Sequence, residues 1–160
     1  MKNILTIIAF IILAGCSSDK AELLSYGITE NEIIETEVNS DLLAGEKHII
    51  DSWNLIKRTE NIPNKLGIEF GISYLIKAPF YKDSITVEEV VVFPGEGLTN
   101  PESGRSIKID SETLEIDKRD EQYFTYVLDY PWEMKSGTWL FQVKQDGLVI
   151  LEQAFYVQQR

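Results

Sequence analysis

From Ile68 to Ile76, apolar side chains fall on every second position. Ile68, Phe70, Ile72, Tyr74 and Ile76 alternate with Glu69, Gly71, Ser73 and Leu75. A period of two puts one set on one face of a strand and the other set on the opposite face, where a helix would scatter both around its circumference. Ile85 to Phe93 is rich in β-branched residues, and its Val90-Val91-Val92-Phe93 run predicts a strand covered on both faces. Tyr123 to Tyr130 is aromatic and β-rich. Trp139, Phe141 and Val143 alternate again, Asp146-Gly147 supplies a turn, and Leu148 to Val157 returns. Asp-Gly between two such runs predicts a hairpin, because a type I′ turn needs positive φ at both central positions.

Other segments add to the same pattern. Glu22 to Ile28 reads as a strand. Glu32 to Val38 does too, although Ile33, Ile34 and Val38 also fit one helical face. His48 to Thr59 is expected as one strand ended by Ile62-Pro63, and Ile107-Lys108-Ile109 as a short strand at an edge. No stretch sustains helical periodicity, and neither an internal repeat nor a low-complexity tract is visible. The expected fold is all-β: an immunoglobulin-like antiparallel β-sandwich of about eight or nine strands. Gly137-Thr138-Trp139-Leu140-Phe141 fits that class by analogy, with Trp139 where such sandwiches place a corner tyrosine at the opening of the penultimate strand.

The N-terminus is of a different kind. Lys2 and Asn3 form a short positive head, Ile4 to Leu13 is an apolar run broken by Thr6, and Leu13-Ala14-Gly15-Cys16 closes it with small residues before a cysteine. An apolar run of this length is well short of the roughly 20 residues a helix needs to cross a bilayer, so it reads as the core of an export signal. The closing four residues resemble the lipobox of bacterial lipoproteins. That resemblance implies cleavage after residue 15 and lipidation of Cys16. Residues 1–15 are then a cleaved signal peptide, 16–20 a short tether, and 21–160 a single β-sandwich domain. Ser17 after the lipidated cysteine is similar to lipoproteins sent to the outer membrane of Gram-negative bacteria, on its periplasmic or surface face.

Cys16 is the chain's one cysteine. Its acylation leaves no disulfide to the domain, so burial must hold the fold, and a chain of this length can bury enough. Lys2 is the only charged residue of the leader, so cleavage takes the formal net charge from −11 to −12. Nucleic-acid binding needs a cationic footprint, which is missing. Adhesion of the protein body to anionic lipid is disfavoured for the same reason. Membrane attachment is left to the acyl chains on Cys16.

Recognisable catalytic chemistry is sparse. His48 is the one histidine, and with no free thiol a zinc site is not expected. Carboxylates are dispersed without a calcium loop, and no cofactor is expected. Gly71-Ile72-Ser73-Tyr74-Leu75 begins like a nucleophile elbow but lacks its second glycine and lies within a strand, so Ser73 is expected on the solvent side. Asp117, Asp120, Glu121, Asp129 and Glu133 are the candidates for a carboxylate pair of the kind that hydrolyses glycosides. The glycine-rich stretch Phe93 to Gly104 opens no helix and carries no P-loop lysine, so turn chemistry accounts for it before phosphate binding does.

Three local patterns carry a further resemblance. They are Ile62-Pro63, Gly67, Phe70-Gly71; then Phe93-Pro94, Gly97-Leu98, Asn100-Pro101, Gly104; then Trp132-Glu133, Gly137, Trp139, Phe141. Over residues 21–158 the chain resembles an uncharacterised bacterial domain-of-unknown-function family found in exported and other proteins. Members often have proline before the glycine of the third pattern, where this chain has Ser136. The resemblance implies a sandwich-like β domain and no catalytic or binding residue.

Function is therefore expected to be that of a lipid-anchored envelope protein, not an enzyme, acting as a binding or structural module for an envelope protein or glycan. Tyr130, Trp132, Gly95, Gly97 and Asn100 are its candidate interaction surface, since aromatics anchor interfaces and shaped loops on a rigid scaffold carry function. A hydrolase of envelope glycans using acidic residues is the alternative, and an accessory subunit of an envelope complex a third.

Overall fold

The computed structural model describes residues 20–77, 83–117 and 119–159. The leader, Cys16 and the tether through residue 19 lie outside them. In chain order the strands are β1 (Lys20–Thr29), β2 (Ile33–Val38), β3 (Glu46–Ile50), β4 (Leu55–Lys57), β5 (Asn61–Ile62), β6 (Glu69–Lys77) and β7 (Ser84–Val92). They continue with β8 (Leu98–Thr99), β9 (Ser106–Ile107), β10 (Ile109–Asp117), β11 (Gln122–Val127), β12 (Gly137–Gln145) and β13 (Leu148–Val157). Pro131–Glu133 forms a 3₁₀ turn.

Nine of these strands build two sheets, one in the order β11-β6-β1-β4 and the other β10-β7-β12-β13-β5. The fold is an all-β sandwich of the immunoglobulin-like kind. Its pairs are antiparallel except β5 with β13, which run parallel through Asn61–Tyr156 and Ile62–Val157. Two separate ribbons, β2-β3 and β8-β9, lie outside the layers.

Alternation builds the core. Phe70, Ile72, Tyr74 and Ile76 of β6 turn inward and are buried, facing Trp139, Phe141, Val143 and Phe155 from the opposite sheet. Phe70 is the hub, its ring centroid 5.2 Å from Phe155, 5.6 Å from Phe141 and 5.8 Å from Trp139, all near edge-to-face, the geometry that the ring quadrupole favours. Trp139 donates its indole N–H to the Lys135 carbonyl at 3.0 Å. That backward bond by four residues is how a corner tyrosine ties down the penultimate strand. Asp146 and Gly147 have φ of 50° and 77°, the positive pair that the Asp-Gly signal requires.

Several expectations need correction. The strand expected over His48 to Thr59 is two, β3 and β4, because the chain leaves one ribbon and joins the edge of the four-stranded sheet between them. Asn54 marks the junction, donating its side-chain amide to Glu30 O at 2.9 Å while its own N–H reaches Asn31 Oδ1 at 2.7 Å. Ile62 is itself in a strand. The short edge strand at Ile107–Ile109 is two elements: Ile107 closes the β8-β9 ribbon, and Ile109 begins β10, a nine-residue edge strand. Ser73 is fully buried, not solvent-side, and its hydroxyl has no hydrogen-bond partner among the described residues. Its face of β6 is shared with Tyr123 of the neighbouring strand, on whose ring Trp53 stacks at 6.0 Å. The segment 33–38 is the strand expected of it, and the helical face that Ile33, Ile34 and Val38 also fit is not formed.

Candidate functional site

At one side the sandwich is open between its two edge strands, β10 in one sheet and β11 in the other. The β2-β3 ribbon and the loop joining its strands cover this gap and leave a cavity of about 150 Å³, about the volume of an engineered cavity that admits benzene. Its walls come from β3, β7, β10, β11 and the segment before the 3₁₀ turn.

The carboxylates of this lining are Glu46, Glu89, Asp110, Glu112, Asp129 and Glu133, against Lys47 and His48. Each arrives by strand alternation. Asp110, Glu112, Leu114 and Ile116 occupy the inward positions of β10, so the strand is acidic inside at one end and apolar inside at the other. Glu89 is on the inward register of β7, level with Val143 of β12. It accepts a hydrogen bond of 2.8 Å from the Tyr74 hydroxyl, which crosses from the other sheet. Burial pushes the Glu89 carboxyl up to about 7, outweighing the phenol and the nearby Lys47 ammonium, which favour its charge. Burial and the facing Glu89 raise the Tyr74 phenol in turn.

Glu133 repeats the arrangement. Its carboxylate accepts from the Tyr126 hydroxyl at 2.8 Å and from the Tyr130 N–H at 2.9 Å, and burial raises it to about 7. The second bond fastens the start of the 3₁₀ turn in the manner of a capping box. Asp110 is also raised by burial, against the pull of the Leu43 N–H that it accepts at 2.9 Å. Lys47 pairs with Glu112 across the cavity.

Two latches hold the roof. Leu43, buried in the core, gives its N–H to Asp110 and takes the Asn100 side-chain amide on its carbonyl at 3.0 Å. Arg105 reaches the carbonyls of Ser40, Asp41 and Leu42 at 2.7, 3.0 and 3.1 Å. His48 ties the ribbon sideways, with Nδ1 3.1 Å from Thr36 Oγ1 and Nε2 3.1 Å from Asp129 Oδ2. Hydroxyl, imidazole and carboxylate stand in the order of a nucleophile relay, yet Thr36 and His48 are cross-strand partners and Thr36 is open to solvent. The line fastens a ribbon.

The residues expected to form an interaction surface divide. Tyr130 and Trp132 stack at 5.5 Å and 10°, and Tyr130 donates to Glu46 Oε1 at 2.9 Å, so this pair buttresses the cavity wall. Asn100 is buried, and its Oδ1 accepts the Glu102 N–H at 2.9 Å while its amide holds Leu43. Gly97 is buried at φ 90°, with a substituent carbon's place only 2.0 Å from the Ile107 carbonyl. Gly95 is exposed, in the turn ahead of β8. The stretch 93–104 thus makes the turns and first strand of a hairpin whose bonds reach the roof. Of the acidic candidates, Asp129 and Glu133 line the cavity. Asp117 pairs with Arg119 at 2.8 Å, in the turn between β10 and β11. Asp120 and Glu121 are exposed beside that turn. Sequence reasoning missed Glu89, Asp110, Glu112 and Lys47; an acid inside the valine run of β7 was the one available signal. Among the described residues no three His, Cys, Asp or Glu groups are arranged to share a metal ion, and no helix is long and apolar enough to cross a membrane.

Sheet order, the indole-to-carbonyl corner and the ribbon over an open edge define an immunoglobulin-like sandwich with a polar cavity between its edge strands. The chain belongs to DUF3859, a domain of unknown function, whose family model matches residues 17–157. It is similar to an immunoglobulin-like protein of Pseudomonas aeruginosa solved at 1.50 Å, with a TM-score of 0.63 and 19% identity over 89% of this chain and 98% of that one. A likeness at that identity concerns the fold. No curated protein matches the chain.

Proposed function

We propose that this chain is a lipid-anchored protein of the cell envelope, carried on Cys16 and sorted to the outer membrane by Ser17. Its sandwich is a non-catalytic binding module that takes a small group of its partner into the cavity between β10 and β11. The observation that carries the binding site is the cavity itself, room for one side chain or amino sugar-sized group, lined by convergent polar groups from both sheets and the ribbon. Carboxylates outnumber basic groups on its walls, which favours a cationic or donor-rich group, such as the amine of an envelope peptide or glycan.

Raised carboxyls in one cavity also favour a second reading, a glycan hydrolase. Such an enzyme needs neighbouring acids pushed apart, one protonated and one ionised. Glu89 and Glu133 move in the same direction, and each is engaged by a tyrosine that ties elements of the fold together. Binding accounts for the arrangement better.

A photo-crosslinking residue at His48 tests the binding site in cells. The proposal expects an adduct that disappears when Glu112→Lys fills and neutralises the cavity, with no such adduct from Tyr156 on the outer face of β13. Identical adducts from both positions, or adducts indifferent to Glu112→Lys, refute it. Anchoring is tested separately: Cys16→Ala should leave the membrane fraction, and tight retention would rule the lipid out.

A further inference from the structure

Cross-sheet contacts fix which end of the sandwich lies toward Cys16. Down the core, Phe70 meets Trp139, Phe124 meets Phe141, and Tyr74 meets Glu89. Successive levels of β6 therefore match successive levels of β7 and β12. At the lower end Lys20, the first residue of β1, pairs with Lys77, the last of β6. The other sheet ends there with Ser84 opposite Asp117 and with the turn between Gln145 and Leu148.

The surface at this end has an apolar tip. Leu148 and Val149, at the tip of the β12-β13 hairpin, are 63% and 48% exposed. Around them Lys77 pairs with Glu22 at 2.5 Å and Arg119 with Asp117 at 2.8 Å, while Lys20, Lys144, Asp83, Asp120 and Asp146 stand nearby in sequence. The apolar tip is what this end would present to lipid.

Three residues, and so four residue-to-residue steps, separate Cys16 from Lys20, and a chain spans at most about 3.6 Å per step. Whatever path they take, Lys20 stays within about 14 Å of an acylated Cys16, comparable to the roughly 10 Å between packed sheets. We infer that the β12-β13 tip rests on the bilayer that holds Cys16, with Leu148 and Val149 in its headgroup region. The sandwich then stands on its Lys20 end, with the β8-β9 ribbon and the 3₁₀ turn directed outward. This orientation rests on the lipid-anchor reading above.

Cys16 being the sole cysteine makes the test clean, since acylation blocks it and an engineered thiol takes the label alone. The lipidated protein carrying Leu148→Cys or Glu102→Cys is labelled with an environment-sensitive fluorophore. It is then placed in phosphatidylethanolamine–phosphatidylglycerol vesicles containing spin-labelled lipid. The label at 148 should shift to the blue and be quenched at least several-fold more than the label at 102. Equal quenching at the two positions overturns the orientation and leaves the anchor standing. A wild-type protein whose Cys16 itself takes the label has no acyl chain, and that outcome removes both.

Discussion

Glu89 and Glu133 are carboxyl groups held where water cannot solvate their charge, each against a tyrosine hydroxyl. Burial wins over the hydrogen bond in both, so the folded protein keeps its protons to about pH 7 while an unfolded glutamate releases them near 4.5. Between those values the native state binds more protons than the unfolded state, and stability falls as pH rises. The upper bound is on the order of 3 kcal/mol for each group. Glu89→Gln keeps an acceptor for Tyr74 and removes the titration. The variant should match wild type in urea unfolding at pH 5 and exceed it at pH 8 by about 1–3 kcal/mol; the same pH slope in both proteins would rule out a buried, protonated Glu89. Tyr74→Phe has the opposite consequence. It strips Glu89 of its donor and should cost about 1–3 kcal/mol, the penalty of a buried polar group left without a partner.

At the scale of elements, the cavity depends on a roof that belongs to neither sheet. The β2-β3 ribbon has an exposed outer strand, and what fixes it are Asn100, Arg105 and Asp110 gripping residues 40–43. Removing Asn100 and Arg105 side chains together should raise amide exchange at Leu43 and Gly45 about tenfold or more, since four bonds to residues 40–43 are lost and two of them at roughly 1 kcal/mol each already exceed the 1.4 kcal/mol that a tenfold change represents. Exchange at Phe141 and Phe155 should stay unchanged; a uniform rise would show that the latches serve global stability. Gly97→Ala should be far worse than Gly104→Ala, because both have positive φ but only Gly97 faces a carbonyl 2.0 Å from the new carbon. Equal thermal shifts would contradict the close approach. What could be read from residue order follows from the same physics. The β12-β13 hairpin was plain because Asp-Gly dictates its turn, and β6 because its inward residues are all apolar. β10 was missed because two of its inward residues, Asp110 and Glu112, are acids, so the pattern that marks a strand was erased by the residues that line the site. Glu89 was hidden among valines, and Asn100 resembled loop filling until its partner 57 residues away came into contact.

For the whole molecule, a fold with a single hydrophobic core and no α-helix among its described residues sets buried acids along one open edge, and the proposed binding role rests on that arrangement. The two layers were legible from alternation alone, and so was the class of fold. The parallel β5-β13 pair and the ribbon roof were not, because both depend on long-range docking of short segments that have no pattern of their own. The decisive measurement is a chemical-shift titration of the mature domain with soluble envelope glycan fragments and, separately, with a short lysine-bearing peptide. Binding in the cavity predicts concentration-dependent shifts at His48, Ser111 and Thr125 that vanish in Glu112→Lys. Saturable shifts confined to the outer faces of the sheets, with those three amides still, would contradict it.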